Sequence, residues 1–224
     1  MGNDQSAAIR WSDADVPISE KFDDPYFSHD GGLAETNHVF LGGNDLPARF
    51  CHGFQIAELG FGTGLNLIAA HQLWRQSGQT GVLHFTSFEA YPLNSADAAR
   101  ALAAFPEAAD LAPDIAAMFA QGDTGFKTPH LSFELIIGDA RQTLPNWSAQ
   151  ADAWFLDGFS PAKNPELWGP DLMMDVGRHT RPKGTFSTYT AAGFVRRSLG
   201  DAGFHVARVP GYGRKRHMSI GHLT

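Results

Sequence analysis

Three glycines at alternate positions, in Glu58-Leu59-Gly60-Phe61-Gly62-Thr63-Gly64-Leu65-Asn66, are the residues of this 224-residue chain best suited to holding a ligand. Glycine lacks a Cβ and tolerates positive φ. A turn built this way closes its backbone N–H groups on a bound molecule where the next helix offers its partial positive end. An apolar run, 54–59, leads into the turn and helix formers lead out, an arrangement that suits an adenosine-type cofactor. A dinucleotide fingerprint runs G-x-G-x-x-G, whereas this turn runs G-x-G-x-G with an acid, Glu58, two positions before the first glycine. That spacing predicts S-adenosylmethionine, whose ammonium and sulfonium charges favour a nearby carboxylate. Glu58, Gly60, Phe61, Gly62, Gly64 and Asn66 are expected to hold it.

Acidic residues also close the following apolar runs: Glu89 in Ser87-Phe88-Glu89, Asp139 in Ile136-Ile137-Gly138-Asp139, and Asp157 in Trp154-Phe155-Leu156-Asp157. In a doubly wound sheet, ligands bind beyond the carboxyl ends of the strands, so these acids should face one crevice. Glu89 is placed for ribose hydroxyls and Asp139 for the adenine. A plain helix-capping role stays open at each single position. After Asp157 comes Gly158-Phe159-Ser160-Pro161-Ala162-Lys163-Asn164-Pro165-Glu166-Leu167-Trp168, in which two prolines restrict the loop to a narrow set of shapes. Amine methyltransferases commonly set an acid or amide, a proline and an aromatic at this corner to align an acceptor nitrogen with the methyl group. Alignment is the main lever left when the donor is already activated. Asp157 is therefore the candidate catalytic residue, to orient the amine or to take its proton.

The elements that must position these residues alternate in type. Apolar runs at 54–59, 82–89, 133–138, 153–157, 184–189, 205–209 and 217–221 read as strands, and 64–76, 95–105, 140–144, 165–180 and 191–202 as helices. The pattern predicts an α/β, Rossmann-like class I methyltransferase fold with a seven-stranded, mostly parallel sheet. Only Pro210-Gly211-Tyr212-Gly213 and its basic neighbours separate the last two strands, too little for a crossover helix, so the last strand is expected antiparallel. Residues 1–50 read as an arm over the cofactor site and 51–224 as the methyltransferase domain, one structural domain overall. The segment 106–129, with prolines at both ends, reads as an insertion with limited regular structure.

Composition narrows the classes. No apolar run approaches membrane-spanning length, and the polar start has no signal-peptide pattern, so a cytoplasmic protein that does not enter the membrane is expected. The single cysteine, Cys51, precludes an internal disulfide. The ten histidines, among them His29, show no metal-ligand spacing, so no metal is expected. The net charge of -7 hides an asymmetry: residues 1–160 carry 7 Lys+Arg against 20 Asp+Glu, residues 161–224 carry 10 against 4. Such a split suggests a basic face on an acidic body. Arg178, Arg181, Lys183, Arg196, Arg197, Arg214, Lys215 and Arg216 are candidates for phosphate contacts, with Lys163 close to the Asp157 loop. Phe159, Trp168 and Tyr212 are candidates for stacking on a splayed base.

Together with the glycine turn, the segments Phe22-Asp23-Asp24-Pro25-Tyr26-Phe27-Ser28, Val39-Phe40-Leu41-Gly42-Gly43, Ser87-Phe88-Glu89, 154–168, 192–197 and 211–216 resemble the methyltransferase domain of the bifunctional tRNA 5-methylaminomethyl-2-thiouridine biosynthesis proteins. The resemblance runs from about Trp11 to the end. It implies methyl transfer from S-adenosylmethionine to the primary amine of 5-aminomethyl-uridine at the tRNA wobble position, with the tRNA anticodon region as partner. Bifunctional members continue into a flavin-dependent oxidase domain. This chain ends at Thr224, as either a free-standing methyltransferase or a fragment of a bifunctional protein, so no FAD is expected in it. For the free-standing form, a separate oxidase would act on the preceding tRNA intermediate. Two alternatives stay open: a methyltransferase of a small-molecule or protein amine, and a catalytically silent RNA-binding module.

Overall fold

A computed structural model describes residues 6–28 and 31–224; His29 and Asp30 lie outside the described residues. In chain order its strands are β1 (Ile9–Trp11), β2 (Pro17–Ser19), β3 (Asp24–Pro25), β4 (Gln55–Leu59), β5 (Leu83–Glu89), β6 (Gly125–Lys127), β7 (Leu131–Ile137), β8 (Ala151–Leu156), β9 (Thr180–Thr188), β10 (Phe204–Pro210) and β11 (His217–Leu223). The helices are α1 (Gly32–Thr36), α2 (Leu65–Gln76), α3 (Ser95–Leu102), α4 (Ala112–Gln121), α5 (Ala140–Thr143), α6 (Pro170–Arg178) and α7 (Gly193–Asp201). No helix among the described residues is long and apolar enough to cross a membrane.

One sheet runs β10-β11-β9-β8-β4-β5-β7-β6. Strands β4, β5, β7, β8 and β9 are parallel, and β11 lies antiparallel between β9 and β10. All seven expected strands are present, but the sheet has eight, because β6 from the proline-bounded segment pairs antiparallel with β7 at the edge. That segment is also more regular than expected, since it contains α4. Pro113 there does not break a helix; it sits in the first turn, where its missing N–H has no helical acceptor to serve. Gly122 then ends α4 at φ 71. Strand β9 starts at Thr180 rather than 184. Pro182 and Lys183, the latter at φ 64, interrupt its pairing with β8 as a register shift.

Both faces of the sheet are buried, which explains why β4 and β8 read as continuous apolar runs. Alternation still decides the direction: Ala153 and Phe155 of β8 join the core beneath α2 and α4, whereas Trp154 and Leu156 join the core beneath α6 and α7. Residues 1–50 are not all appended. Strands β1, β2 and β3 form a separate small sheet, but Val39, Phe40, Leu41, Leu46 and Phe50 are buried in the core around α2.

Candidate active site

The glycine turn stands between β4 and α2, at the carboxyl end of the sheet. Gly60, at φ 88, passes so close to β8 that a Cβ there would run into the Asp157 carbonyl oxygen. Gly64, at φ 86, is the left-handed residue from which α2 starts. The Phe61 ring lies beneath Gly64 and stacks on Phe133 at 5.0 Å, so it belongs to the core and only its backbone faces outward. The turn thus binds strand to strand and lines a cleft of about 990 Å³. Clefts of this class, roughly 300–1,000 Å³, hold ligands of cofactor size. Its glycine N–H groups, however, donate within the fold, Gly60 to Phe88 O, Gly62 to Glu89 and Gly64 to Phe61 O, which corrects the expectation that they close on a ligand.

Asp157 enters the cleft half-buried, with one carboxylate oxygen accepting from Asn66 Nδ2 at 2.7 Å. The same Asn66 nitrogen donates to Glu58 Oε1 at 2.8 Å, and Asn66 Oδ1 accepts from the Thr36 hydroxyl at 2.8 Å. Ser87 Oγ donates to the other Glu58 oxygen at 2.7 Å. Glu58 is fully buried and does not line the cleft, which corrects the expectation of direct cofactor contact; it acts by holding Asn66. Burial raises the Glu58 pKa well above the carboxylate range, against the pull of Ser87 and Asn66. Burial also pushes Asp157 up to about 7, opposed by the Asn66 bond and by Lys215.

Glu89 bridges two turns, accepting from the backbone N–H of Gly62 at 3.1 Å and of Tyr91 at 2.8 Å. Burial raises its pKa and these backbone bonds partly offset that. Asp139 combines a cap with a place in the cleft. It caps α5 by accepting from Arg141 N at 2.9 Å, and it lines the cleft. Arg141 Nε and a terminal nitrogen grip its carboxylate at 3.0 and 2.6 Å, holding it below its usual range. Arg141 also reaches Glu166 at 3.1 Å, linking the β7 end to the Asp157 loop.

The N-terminal segment closes one wall. Ser160 N donates to Asp24 at 2.8 Å, Phe159 stacks on Phe22 at 4.8 Å and meets Tyr26 edge-on at 5.1 Å, and the Tyr26 ring covers Gly62. Burial, with Glu89 second, raises the Tyr26 pKa. At the opposite wall the Tyr189 hydroxyl donates to the Gly158 carbonyl at 2.6 Å.

The cleft brings together Gly60, Phe61, Gly62, Asn66, Glu89, Asp139, Asp157, Phe159, Arg214 and Lys215 of the expected set, and leaves out Glu58, Gly64, Lys163, Trp168, Arg196, Arg197 and Arg216. Trp168 is 1% exposed in the core beneath α6, its indole N–H donating to Phe159 O at 2.9 Å, so it cannot stack on a base; it shapes the loop from behind. Lys163 is taken up by the Asp23 carbonyl and by the Asp23 and Asp24 carboxylates at 3.7 and 3.5 Å, so it fastens the N-terminal segment to the loop. The expected basic face is divided by strand direction. Arg178, Arg181 and Lys183 precede or open β9, at the end of the sheet away from the cleft, and Arg178 and Arg181 pair with Asp175 and Asp152. Arg196 and Arg197 on α7 and Arg214 to Arg216 between β10 and β11 follow strand ends on the cleft side. Tyr26, Tyr189 and Arg141 line the cleft and were missed. Tyr189 ends an expected strand, so the rule that singled out the acids applied to it equally. Among the described residues no group of three or more His, Cys, Asp or Glu could hold a metal ion.

A family model described as S-adenosyl-L-methionine-dependent methyltransferase matches residues 106–224. The chain is 45% identical over 230 residues to the tRNA 5-methylaminomethyl-2-thiouridine biosynthesis bifunctional protein MnmC of Stutzerimonas stutzeri, covering 98% of this chain and 35% of that protein. It is 44% identical over 232 residues to the protein of the same name from Pseudomonas aeruginosa strain UCBPP-PA14, covering 99% and 36%. The chain thus spans about a third of the length of these relatives. Among solved structures, MNMC2 from Aquifex aeolicus superposes with a TM-score of 0.76 at 27% identity, over 98% of this chain and 71% of that one. CalS10, an amino pentose methyltransferase from Micromonospora echinaspora, shares the fold, with a TM-score of 0.52 at 12% identity over 86% and 91%. The resemblance drawn from the motifs is borne out over nearly the whole chain, and with more than half of it matched by the family model, the chain belongs to the S-adenosyl-L-methionine-dependent methyltransferases.

Proposed function

We propose that the chain methylates the amine of 5-aminomethyl-(2-thio)uridine at the wobble position of tRNA. The observation that carries the reading is the Asp157 carboxyl, held by Asn66 and raised to about 7, in the same cleft as the glycine turn. The relatives' printed role in tRNA 5-methylaminomethyl-2-thiouridine biosynthesis supplies the substrate class. The residues present fit S-adenosylmethionine: the Gly60 to Gly62 backbone, Asn66, Glu89 and Asp139 line one continuous cleft that ends at Asp157, offering carboxylates to hydroxyl and ammonium groups. When bound, the cofactor supplies an electrophilic methyl group on a sulfonium.

A primary alkylamine is mostly protonated at neutral pH and then has no lone pair with which to attack. An ordinary aspartate, ionised well below neutrality, is a poor acceptor for that proton. Asp157, raised to about 7, matches the working pH of a general base. In this mechanism its carboxylate takes a proton from the acceptor nitrogen while Asn66 fixes the oxygen it uses, and Tyr189, through the Gly158 carbonyl, fixes the corner of the loop. Phe159 and Tyr26 offer ring surface for the uracil, and Arg196, Arg197, Arg214 and Arg216 lie on the side from which an anticodon stem would approach. Displacement at an activated methyl calls for neither flavin nor metal. The proposal places the protein in the cytoplasm, downstream of a separate oxidase that exposes the amine.

The test is incubation with methyl-labelled cofactor and tRNA from a strain lacking the activity, followed by nucleoside analysis. Label in 5-methylaminomethyl-uridine supports the assignment. Label on protein or small amines with none on tRNA refutes it.

A further inference from the structure

Glu35 on α1 and Lys215 in the turn between β10 and β11 are 180 residues apart and meet in the cleft, with Lys215 Nζ 2.7 Å from Glu35 Oε1. The same ammonium lies 4.1 Å from the centre of the Tyr189 ring. Tyr189 in turn donates to the carbonyl of Gly158, the residue after Asp157. The Glu35 side chain is 12% exposed and that of Lys215 46%, so the carboxylate is buried where that of Asp110 in the rim pair Arg75–Asp110 is 65% exposed. Exposed pairs contribute little, whereas this one joins three segments around the corner that presents Asp157. Lys215, expected from the sequence to meet phosphate, instead points its charge into the cleft.

We propose that Glu35 and Lys215 are positioning residues for Asp157: Glu35 anchors the Lys215 ammonium, which clamps Tyr189 onto the Gly158 carbonyl and sets the charge around the reacting carboxyl. The inference rests on the reading of Asp157 as the group that faces the amine. The groups around Asp157 come from every neighbouring element: Asn66 donating from α2, Glu58 buried on β4, Tyr189 at the end of β9, Glu35 on α1 and Lys215 in the last turn. Burial is the largest influence and raises the carboxyl; Lys215 lowers it and Glu35 raises it. The two members of the pair therefore act in opposite directions, as opposite charges near one carboxyl must, so the titration of Asp157 reads each of them separately.

The experiment is a carboxyl 13C NMR titration of aspartate-labelled protein without cofactor or tRNA, with the resonance assigned by Asp157→Asn. Lys215→Met should raise the Asp157 midpoint by about half a unit or more, and Glu35→Gln should lower it. Lys215→Arg, which keeps the charge, should restore the wild-type midpoint, and it keeps the test readable if methionine loosens the turn. Equal midpoints in Lys215→Met and Glu35→Gln, or movement of both in one direction, would overturn the proposal. A wild-type midpoint that is raised but unmoved by either change overturns this inference alone. A wild-type midpoint in the ordinary aspartate range overturns the general-base role of Asp157 as well.

Discussion

Replacing Asp157 with asparagine removes one titrating proton and keeps the shape of the side chain, including an oxygen able to accept from Asn66 at the 2.7 Å contact. In the folded protein the carboxyl titrates at about 7, against a reference of 3.8. The native state therefore holds a proton that the unfolded chain releases, and the wild type loses stability as pH rises from about 4 to about 7. A displacement of about three units caps the loss at about 4 kcal/mol, and somewhat more than half of it falls between about pH 5 and about pH 8. Glu58 and Glu89 are displaced the same way and remain in both proteins, so the difference between wild type and variant reports Asp157 together with its smaller repulsion on Glu58. Urea unfolding of both across this range should show the stability advantage of Asp157→Asn growing with pH by about 2–3 kcal/mol. Methyl transfer should fall by about 10²- to 10⁴-fold while cofactor binding, read by calorimetry, persists. Parallel stability curves would refute the raised carboxyl, and near-normal turnover at high pH would refute its role as a base.

Asn66→Ala strips the donor shared by Glu58 and Asp157, so it should cost about 1–3 kcal/mol in chemical unfolding and abolish turnover; a stability change within error would show that the network is not formed. Trp168→Ala empties a buried site and should lower stability by about 3–5 kcal/mol, whereas a variant that stays stable but binds tRNA poorly would restore the stacking reading. For tRNA, the combined Arg197→Ala and Arg216→Ala change should flatten the dependence of affinity on salt by about 0.7 per lost phosphate contact. Arg178→Ala with Arg181→Ala, at the far end of the sheet, should leave the slope unchanged; a slope that falls equally in both pairs would refute the division of the basic face. Lys163→Met should change stability by less than about 1 kcal/mol yet speed proteolysis between residues 20 and 28 by releasing Asp23 and Asp24 from the loop; unchanged proteolysis would dismiss the fastening role.

Much of this site was readable because one local rule repeats. Glycines at Gly60, Gly62 and Gly64, and an acid closing each of β5, β7 and β8, are signals contained within a few residues, and the direction of parallel strands turns them into a shared location. What escaped was of two kinds. Contacts such as Thr36 with Asn66, Ser160 with Asp24 and Glu35 with Lys215 join positions 30, 136 and 180 residues apart and leave no periodic trace. The second kind was legible and misjudged. Trp168 follows a loop yet packs inward because the 3-10 turn at Pro165–Trp168 leads into α6, whose apolar face needs a lid. The segment 106–129 reads as irregular from the prolines at its ends, yet within it Pro113 and Gly122 stand where α4 begins and ends.

The division of the basic residues shows how far the strand-direction rule reaches. Counted along the chain, the positive charge after residue 160 looks like one patch; placed on strands, Arg178, Arg181 and Lys183 fall at the start of β9, whereas Arg196, Arg197, Arg214, Lys215 and Arg216 fall beyond the ends of β9 and β10. The same rule that gathered the acids therefore sorts the cations, and it leaves on the cleft side a smaller set of which Lys215 pairs with Glu35 inside the cleft. The chain thus sets its positive charge in two layers around an acidic cleft. The inner cation adjusts one carboxyl. On the proposed reading, Arg196, Arg197 and Arg216 face a polyanion too large to enter, which is the division of labour an enzyme needs when the reacting amine is a small appendage of an RNA.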